Sequence, residues 1–328
     1  MIMFWVAVLA VSILLYVLLD GFDLGVGILF GLTRSEERRH AMLSAVAPIW
    51  DGNETWLIVA AVVLWGAFPV VYATLFSAFY LPLLLMLAGL ILRGVAFEYR
   101  YKTERMRWIW DAGFVGGSLV ATFIQGMTVG ALVEELPISN GQYVGGEFGW
   151  FSPFAVLCGI GLCLGYTLLG ACWLVRKCEG DVREEAYRLI PYLSIALLAF
   201  LVVVFAYALA EKLQVTQRWL ERPYLFVFPA IGVIAALLAA ESVRSRRDEV
   251  PFYMVALIFV AAFGTLAISF WPYMIPFSIT IEEAAAPHSS LAFMFWGAGI
   301  IVFPLMLLYT VISYSVFRGK VRPTADRY

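Results

Sequence analysis

Apolar residues along this chain fall in long runs separated by short polar connectors. Crossing a hydrocarbon core about 30 Å thick takes a helix of ~20 mostly apolar residues. Nine segments meet that demand and are predicted as spans: Met3–Phe30, Ser44–Val71, Phe76–Glu98, Asp111–Val133, Phe154–Val175, Ile190–Ala210, Tyr224–Ala240, Phe252–Phe270 and Leu291–Val316. The connectors test this count, because Lys and Arg gather in cytoplasmic loops. With the N-terminus outside, 18 of the 22 basic residues fall on the inner connectors and the C-terminal tail, from Arg34, Arg38 and Arg39 to Arg318, Lys320, Arg322 and Arg327. The outer connectors hold only Lys212, Arg218 and Arg222, and Arg93 lies within a span. A miscount by one span would scramble that alternation. The chain therefore reads as an all-α integral membrane protein with nine transmembrane helices, N-terminus outside and C-terminus cytoplasmic.

The connectors are too short for a soluble domain, so residues 1–328 read as one polytopic membrane domain. Residues 1–133 form a first helical bundle with the acidic cluster, and 154–316 carry the remaining helices. No cleavable signal peptide is predicted. A basic leading region is missing, and the first apolar run continues into Asp20-Gly21-Phe22-Asp23 without a small-residue cleavage site. The longest outer connector, Glu134–Phe151, is acidic and Gly-rich and is expected to be a solvated link.

Composition narrows the class further. Hydrophobic residues make up 62% of the chain and charged residues 14%, with a mean hydropathy of +0.88. A soluble globular domain cannot hide that much apolar surface. A net charge of -2 and a pI near 5.8 leave no basic face for phosphates, which excludes nucleic-acid binding.

Against this background the polar positions inside spans stand out. An ionisable group there costs roughly 2.5–3.5 kcal/mol on insertion scales and marks a functional candidate. The first span carries Asp20 and Asp23, and the second carries Asp51 and Glu54 within Trp50-Asp51-Gly52-Asn53-Glu54-Thr55-Trp56. The third carries Arg93 and, near its end, Glu98; the fourth begins at Asp111. Each acidic pair is spaced by three, which puts both members on one helix face. Two such pairs on neighbouring helices can form a path of proton-exchanging groups, since burial and like-charged neighbours tune carboxylates for that task. Arg93 is the counter-charge in this region.

Depth gives the path a direction. Asp20 lies roughly 25 Å along the first helix, at 1.5 Å per residue, and so in the inner third. Asp51 and Glu54 lie early in a span that starts inside, and Glu98 and Asp111 sit at inner ends. The outer half offers only Gln125 and hydroxyl or aromatic groups. Such a distribution suits a half-channel from the cytoplasm that feeds another site. Structural accounts compete with it. Asp51 and Glu54 could cap a helix start, Asp20 and Asp23 could bond the backbone around Gly21, Gly25 and Gly27, and Glu98 and Asp111 could be hydrated at the interface.

Other chemistry is scarce. A haem between membrane helices needs axial side chains such as His or Met. His40 falls in an inner connector and His288 in an outer one, and the ten Met residues are scattered. Cys158, Cys163, Cys172 and Cys178 lack a metal-binding spacing and read as small apolar residues. Trp50, Trp56, Trp65, Trp271 and Trp296 sit mostly where interfacial Trp is expected. No metal site and no haem ligand are expected in this chain.

The acid-bearing segments Asp20-Gly21-Phe22-Asp23-Leu24-Gly25-Val26-Gly27 and Ala47-Pro48-Ile49-Trp50-Asp51-Gly52-Asn53-Glu54-Thr55-Trp56-Leu57 resemble the signature segments of subunit II of cytochrome bd-type quinol oxidases. Phe97-Glu98-Tyr99-Arg100 and Phe270-Trp271-Pro272-Tyr273-Met274-Ile275-Pro276 fit as well, and the likeness covers the whole chain. Glu54-Thr55-Trp56 and Glu282-Glu283-Ala284-Ala285-Ala286-Pro287 lean towards the cyanide-insensitive branch. The resemblance implies two four-helix bundles plus one extra helix. It also implies a haem-bearing subunit I as partner, holding haems b and d or b only. Subunit II itself binds no haem, and helps form a cytoplasmic proton path while the partner oxidises quinol and reduces dioxygen to water. A bound quinone, membrane lipid and a small accessory subunit are compatible with it, in the cytoplasmic (inner) membrane of a bacterium.

The resemblance places a proton-path role on Asp20, Asp23, Asp51 and Glu54. Our reading adds Glu98 to that path, Arg93 and Asp111 as charge-balancing groups, and Trp50, Gly52, Asn53 and Trp56 as the structural motif. Ile49 stands where some relatives have a histidine, so no histidine relay carries over. A proton-coupled secondary transporter is the alternative, with a purely anchoring subunit behind it.

Overall fold

The computed structural model describes residues 1–103, 105–139 and 141–321. Arg322 and Arg327, two of the basic residues of the C-terminal tail, lie outside the described residues. Helices account for nearly all of the regular structure: α1 (Ile2–Phe30), α2 (Glu36–Val46), α3 (Trp50–Ala67), α4 (Pro69–Ala78), α5 (Tyr80–Tyr99), α6 (Arg107–Val133) and α7 (Pro153–Lys177) come first. They are followed by α8 (Gly180–Ala210), α9 (Gln214–Glu221), α10 (Val227–Arg244), α11 (Val250–Phe270), α12 (Ile281–Ala284), α13 (His288–Met294) and α14 (Val302–Val316). A π-helical turn, Phe295–Gly299, joins α13 to α14. Among the described residues eight helical segments are long and apolar enough to cross a membrane, and nine if the bent pair α3–α4 counts as one.

That bent pair corrects the second predicted span. Ser44–Val71 is not one helix. Pro48, without an N–H, falls in the break between α2 and α3, and a second break at Phe68 turns the chain by 119° into α4, which Pro69 opens. The third span accordingly starts at Tyr80, after α4. The sixth extends back to Gly180, because its polar first turns continue the helix beyond the apolar run. The connector Glu134–Phe151 is not wholly irregular: Ile138–Ser139 (β1) and Gln142–Tyr143 (β2) pair antiparallel.

Helix α1 is the hub, packed against α3, α6 and α7, with α5 on α6, α8 on α7 and α10 on α11. Its contact with α7 is a backbone-to-backbone crossing. A Cβ on Gly25 would lie 1.8 Å from the carbonyl oxygen of Tyr166, so only glycine fits there. Small residues at such crossings let membrane helices gain packing where no hydrophobic drive between them exists.

The end of the bundle that carries the basic connectors, called here the basic end, is laced with ion pairs. Asp111 accepts from Arg100 Nε at 2.5 Å and from Arg39 Nη1 at 2.7 Å, and both guanidinium groups lie over the Phe30 ring. Glu36 accepts from Arg100 Nη2 at 2.8 Å. Partial burial works to raise the Glu36 carboxyl, but Arg100, Arg107 and Arg39 outweigh it and hold the group below the usual carboxylate range. Asp248, between α10 and α11, accepts from Arg183 Nη2 at 2.7 Å, Tyr187 Oη at 2.8 Å and Lys320 Nζ at 2.6 Å. Lys177 Nζ donates to the carbonyls of Phe317 and Gly319, which binds the segment after α14 to the end of α7. At the opposite end, Arg218 of α9 donates to the carbonyls of Ser269 and Trp271, closing over the end of α11.

Candidate functional site

The two acids of α1 converge with residues from three other helices. Asp20 and Asp23, three apart and on one face, are both fully buried, and Arg93 of α5 is 2% exposed. Arg93 Nη1 donates to Asp20 Oδ1 at 2.7 Å, and its Nη2 lies 3.9 Å from Asp23 Oδ2. Asn53 of α3 donates through Nδ2 to Asp23 Oδ2 at 2.7 Å and to the Leu19 carbonyl at 3.3 Å. Tyr314 of α14 donates to Asn53 Oδ1 at 2.9 Å. The result is a polar line, Tyr314–Asn53–Asp23–Arg93–Asp20, across α14, α3, α1 and α5, half-buried at Tyr314 and buried from Asn53 inward. Two carboxylates here share one guanidinium. Asp20 Oδ2 and Asp23 Oδ1 remain without a hydrogen-bond donor among the described residues. The alternative in which the acids bond the glycine-rich backbone of α1 is replaced by these side-chain partners.

Asn53, read from the sequence only as a member of a structural motif, is the element that couples α3 to the acid pair. Asp51 and Glu54 do not join the line by direct hydrogen bonds. Glu54 is half-buried and Asp51 is exposed on the isolated chain, in the first turn of α3. The N-cap residue Ile49 makes no side-chain bond, and Asp51, in the first turn, lies at the positive end of the helix dipole. Beside Asp51, a cavity of about 10 Å³ opens between α3 and α14, lined by Gly52, Asn53, Tyr309, Thr310, Ser313 and Tyr314 among others. That is about one water molecule in size. Gly52 packs closely on Tyr309: a Cβ there would lie 3.2 Å from its ring, which would have to give by a few tenths of an ångström.

The remaining expectations divide. Arg93 balances the α1 acids. Asp111 does not belong to that cluster: it is buried in the arginine network at the basic end, where its charge balances Arg39 and Arg100. Glu98 is exposed near the end of α5. Trp50 packs on Phe97, ring centroids 5.4 Å apart. Trp56 is fully buried, edge-on to Phe303 of α14. Tyr314 has no signal of its own in the sequence, where it is one tyrosine in an apolar helix. His40 contacts Tyr101 at the basic end, and His288 begins α13 at the other.

These features define a polytopic helical membrane protein with a buried, ion-paired acid cluster at the crossing of its first, second, third and last spans. Residues 1–317 match the family model described as cytochrome bd terminal oxidase subunit II, and the chain belongs to that family. It is 32% identical to the "Probable cytochrome oxidase subunit 2" of Haemophilus influenzae, over 97% of this chain and 94% of the relative. It is 30% identical, with the same coverage, to "Cytochrome bd-I ubiquinol oxidase subunit 2" of Escherichia coli K12. The Bacillus subtilis "Cytochrome bd ubiquinol oxidase subunit 2" is 28% identical over 97% of this chain and 96% of the relative. Its fold matches a chain of the bd oxidase from Geobacillus thermodenitrificans, with a TM-score of 0.79 over 96% of each chain at 16% identity.

Proposed function

We propose that this chain is the haem-free subunit II of a bd-type quinol:oxygen oxidoreductase. It packs against a haem-bearing subunit I and delivers cytoplasmic protons towards the oxygen-reducing site. The observation that carries the proton role is the polar line through Tyr314, Asn53, Asp23, Arg93 and Asp20, buried among apolar helices from Asn53 inward. Buried polar groups of this kind in a membrane protein mark ion and proton pathways. The exposed carboxylate of Asp51 and the half-buried one of Glu54 support a partner on the adjoining face of α3. A bare carboxylate facing lipid is costly, whereas one covered by another subunit is a handover point. Protons entering at the basic end reach Asp51 and Glu54, with the Asn53–Asp23–Asp20 cluster holding the local charge and hydrogen-bond order. Uptake from the cytoplasm, with release from quinol outside, builds a gradient without a pump.

This reading assigns the haems to the partner, which is supported by the lack of a bis-histidine site in this chain. His40 and His288 lie at opposite ends of the bundle, so no imidazole pair meets between the helices. The relatives named as ubiquinol oxidase subunits support quinol as the reductant, and the basic connectors support a cytoplasmic C-terminus. The test is a mild-detergent purification from native membranes through a C-terminal tag, with haem measured per chain from a reduced-minus-oxidised spectrum. Haem that copurifies with a larger partner, and is absent from the chain expressed alone, is the expected result. A stable haem-free protein without a partner would remove the assignment and favour a carrier.

A further inference from the structure

One turn towards the N-terminus from Asp20, a second set of polar groups is buried between α1, α6 and α7. Gln125 Nε2 donates to Tyr16 Oη at 2.7 Å, and Tyr166 Oη donates to Gln125 Oε1 at 3.1 Å. Tyr16 is buried and Tyr166 fully so. The seat of Tyr166 is built into α1: a Cβ on Gly21 would lie 2.7 Å from its Cε1, so glycine beside Asp20 admits the ring. Each tyrosine hydroxyl has one proton to give. Tyr166 gives its proton to Gln125. Tyr16 receives from Gln125, and its own O–H proton has no acceptor among the described residues. Tyr16 and Asp20 are four apart, hence neighbours on one face of α1. Asp20 Oδ2, with no solvent contact, has no donor.

A buried donor without an acceptor and a buried acceptor without a donor, one helical turn apart, are what a buried water bridges. Such waters commonly make about three hydrogen bonds to groups left unsatisfied by the protein. Leaving both unpaired would cost each group its lost hydration without a compensating bond. We infer that Tyr16 and Asp20 hold a water molecule, accepting from Tyr16 Oη and donating to Asp20 Oδ2. The site joins two hydrogen-bonded groups that the protein atoms leave separate. It extends the acid cluster one turn along α1, to Gln125 and Tyr166, and gives Asp20 a partner on each oxygen: Arg93 on Oδ1 and water on Oδ2.

The test is a map of the purified oxidase complex at a resolution that shows ordered water, for the wild type and for Tyr16→Phe. Expected is a density peak within hydrogen-bond distance of both Tyr16 Oη and Asp20 Oδ2. In Tyr16→Phe the peak is lost while the Arg93–Asp20 pair stays. No peak in the wild type, direct contact of Tyr16 with Asp20, or a peak that persists unchanged in Tyr16→Phe would each overturn the site. Should Tyr16→Phe fail to assemble, the wild-type map decides alone. The readout is density, so its failure leaves the proton-delivery proposal standing, and a silent Asp51 variant leaves the water site standing.

Discussion

Arg93 Nη1 and Asp20 Oδ1 meet at 2.7 Å where neither residue reaches solvent, and this pair sets the charge of the site. Without Arg93, two buried carboxylates would have no cation. Breaking a buried pair from one side costs about 3–5 kcal/mol. Arg93→Met is therefore expected to abolish accumulation of the assembled complex on native gels. Asp20→Asn, which keeps the shape and removes one charge, is expected to assemble. Wild-type accumulation of Arg93→Met would show that the pair does not hold the fold.

The α1–α7 crossing gives a prediction independent of charge. Gly25→Ala drives a methyl group into the Tyr166 carbonyl and must push α1 and α7 apart. Overpacking of this kind costs about 1–3 kcal/mol. Gly116→Ala, where an added Cβ meets nothing within 4 Å, is the control. The melting temperature in detergent should fall for Gly25→Ala alone. Equal melting of the two variants would mean that the crossing is looser than described.

Asp248 makes the basic end pH-sensitive. Burial on its own raises its carboxyl, but bonds from Arg183, Lys320 and Tyr187 outweigh that and hold it well below the usual carboxylate range. A group depressed in the folded state contributes stability above its unfolded pKa of ~4 and loses it as pH falls further. Asp248→Asn removes charged hydrogen bonds worth roughly 1.5–3 kcal/mol each. Limited proteolysis of the segment after α14 should therefore speed up in this variant at pH 7, and in the wild type only in acid. Identical cleavage of the two at pH 7 would show that the Asp248–Lys320 bond does not hold that segment.

Span count, the alternation of basic connectors and the acid residues of the site were legible because each rests on a local property of the chain. Apolar length sets the spans, and a charge inside one is conspicuous wherever it falls. What joins the charges was not legible. Asn53 and Tyr314 are 261 positions apart, and only the packing of α14 on α3 brings them together. The break at Phe68 had a local signal in Pro69, but apolar length masked it. Asp111 could be found as a charge but not assigned to its two arginines, which reach it from α2 and the turn after α5.

Proton delivery through this chain is tested most directly by rapid-mixing measurement of proton uptake and oxygen consumption by the reconstituted complex carrying Asp51→Asn. Haem content should match the wild type, and Cys158→Ser should be silent throughout. Uptake and turnover should fall together in Asp51→Asn by about tenfold or more, equivalent to at least ~1.4 kcal/mol on the barrier. Full turnover and uptake in an assembled, haem-replete Asp51→Asn complex would contradict the account and leave this subunit a scaffold alone.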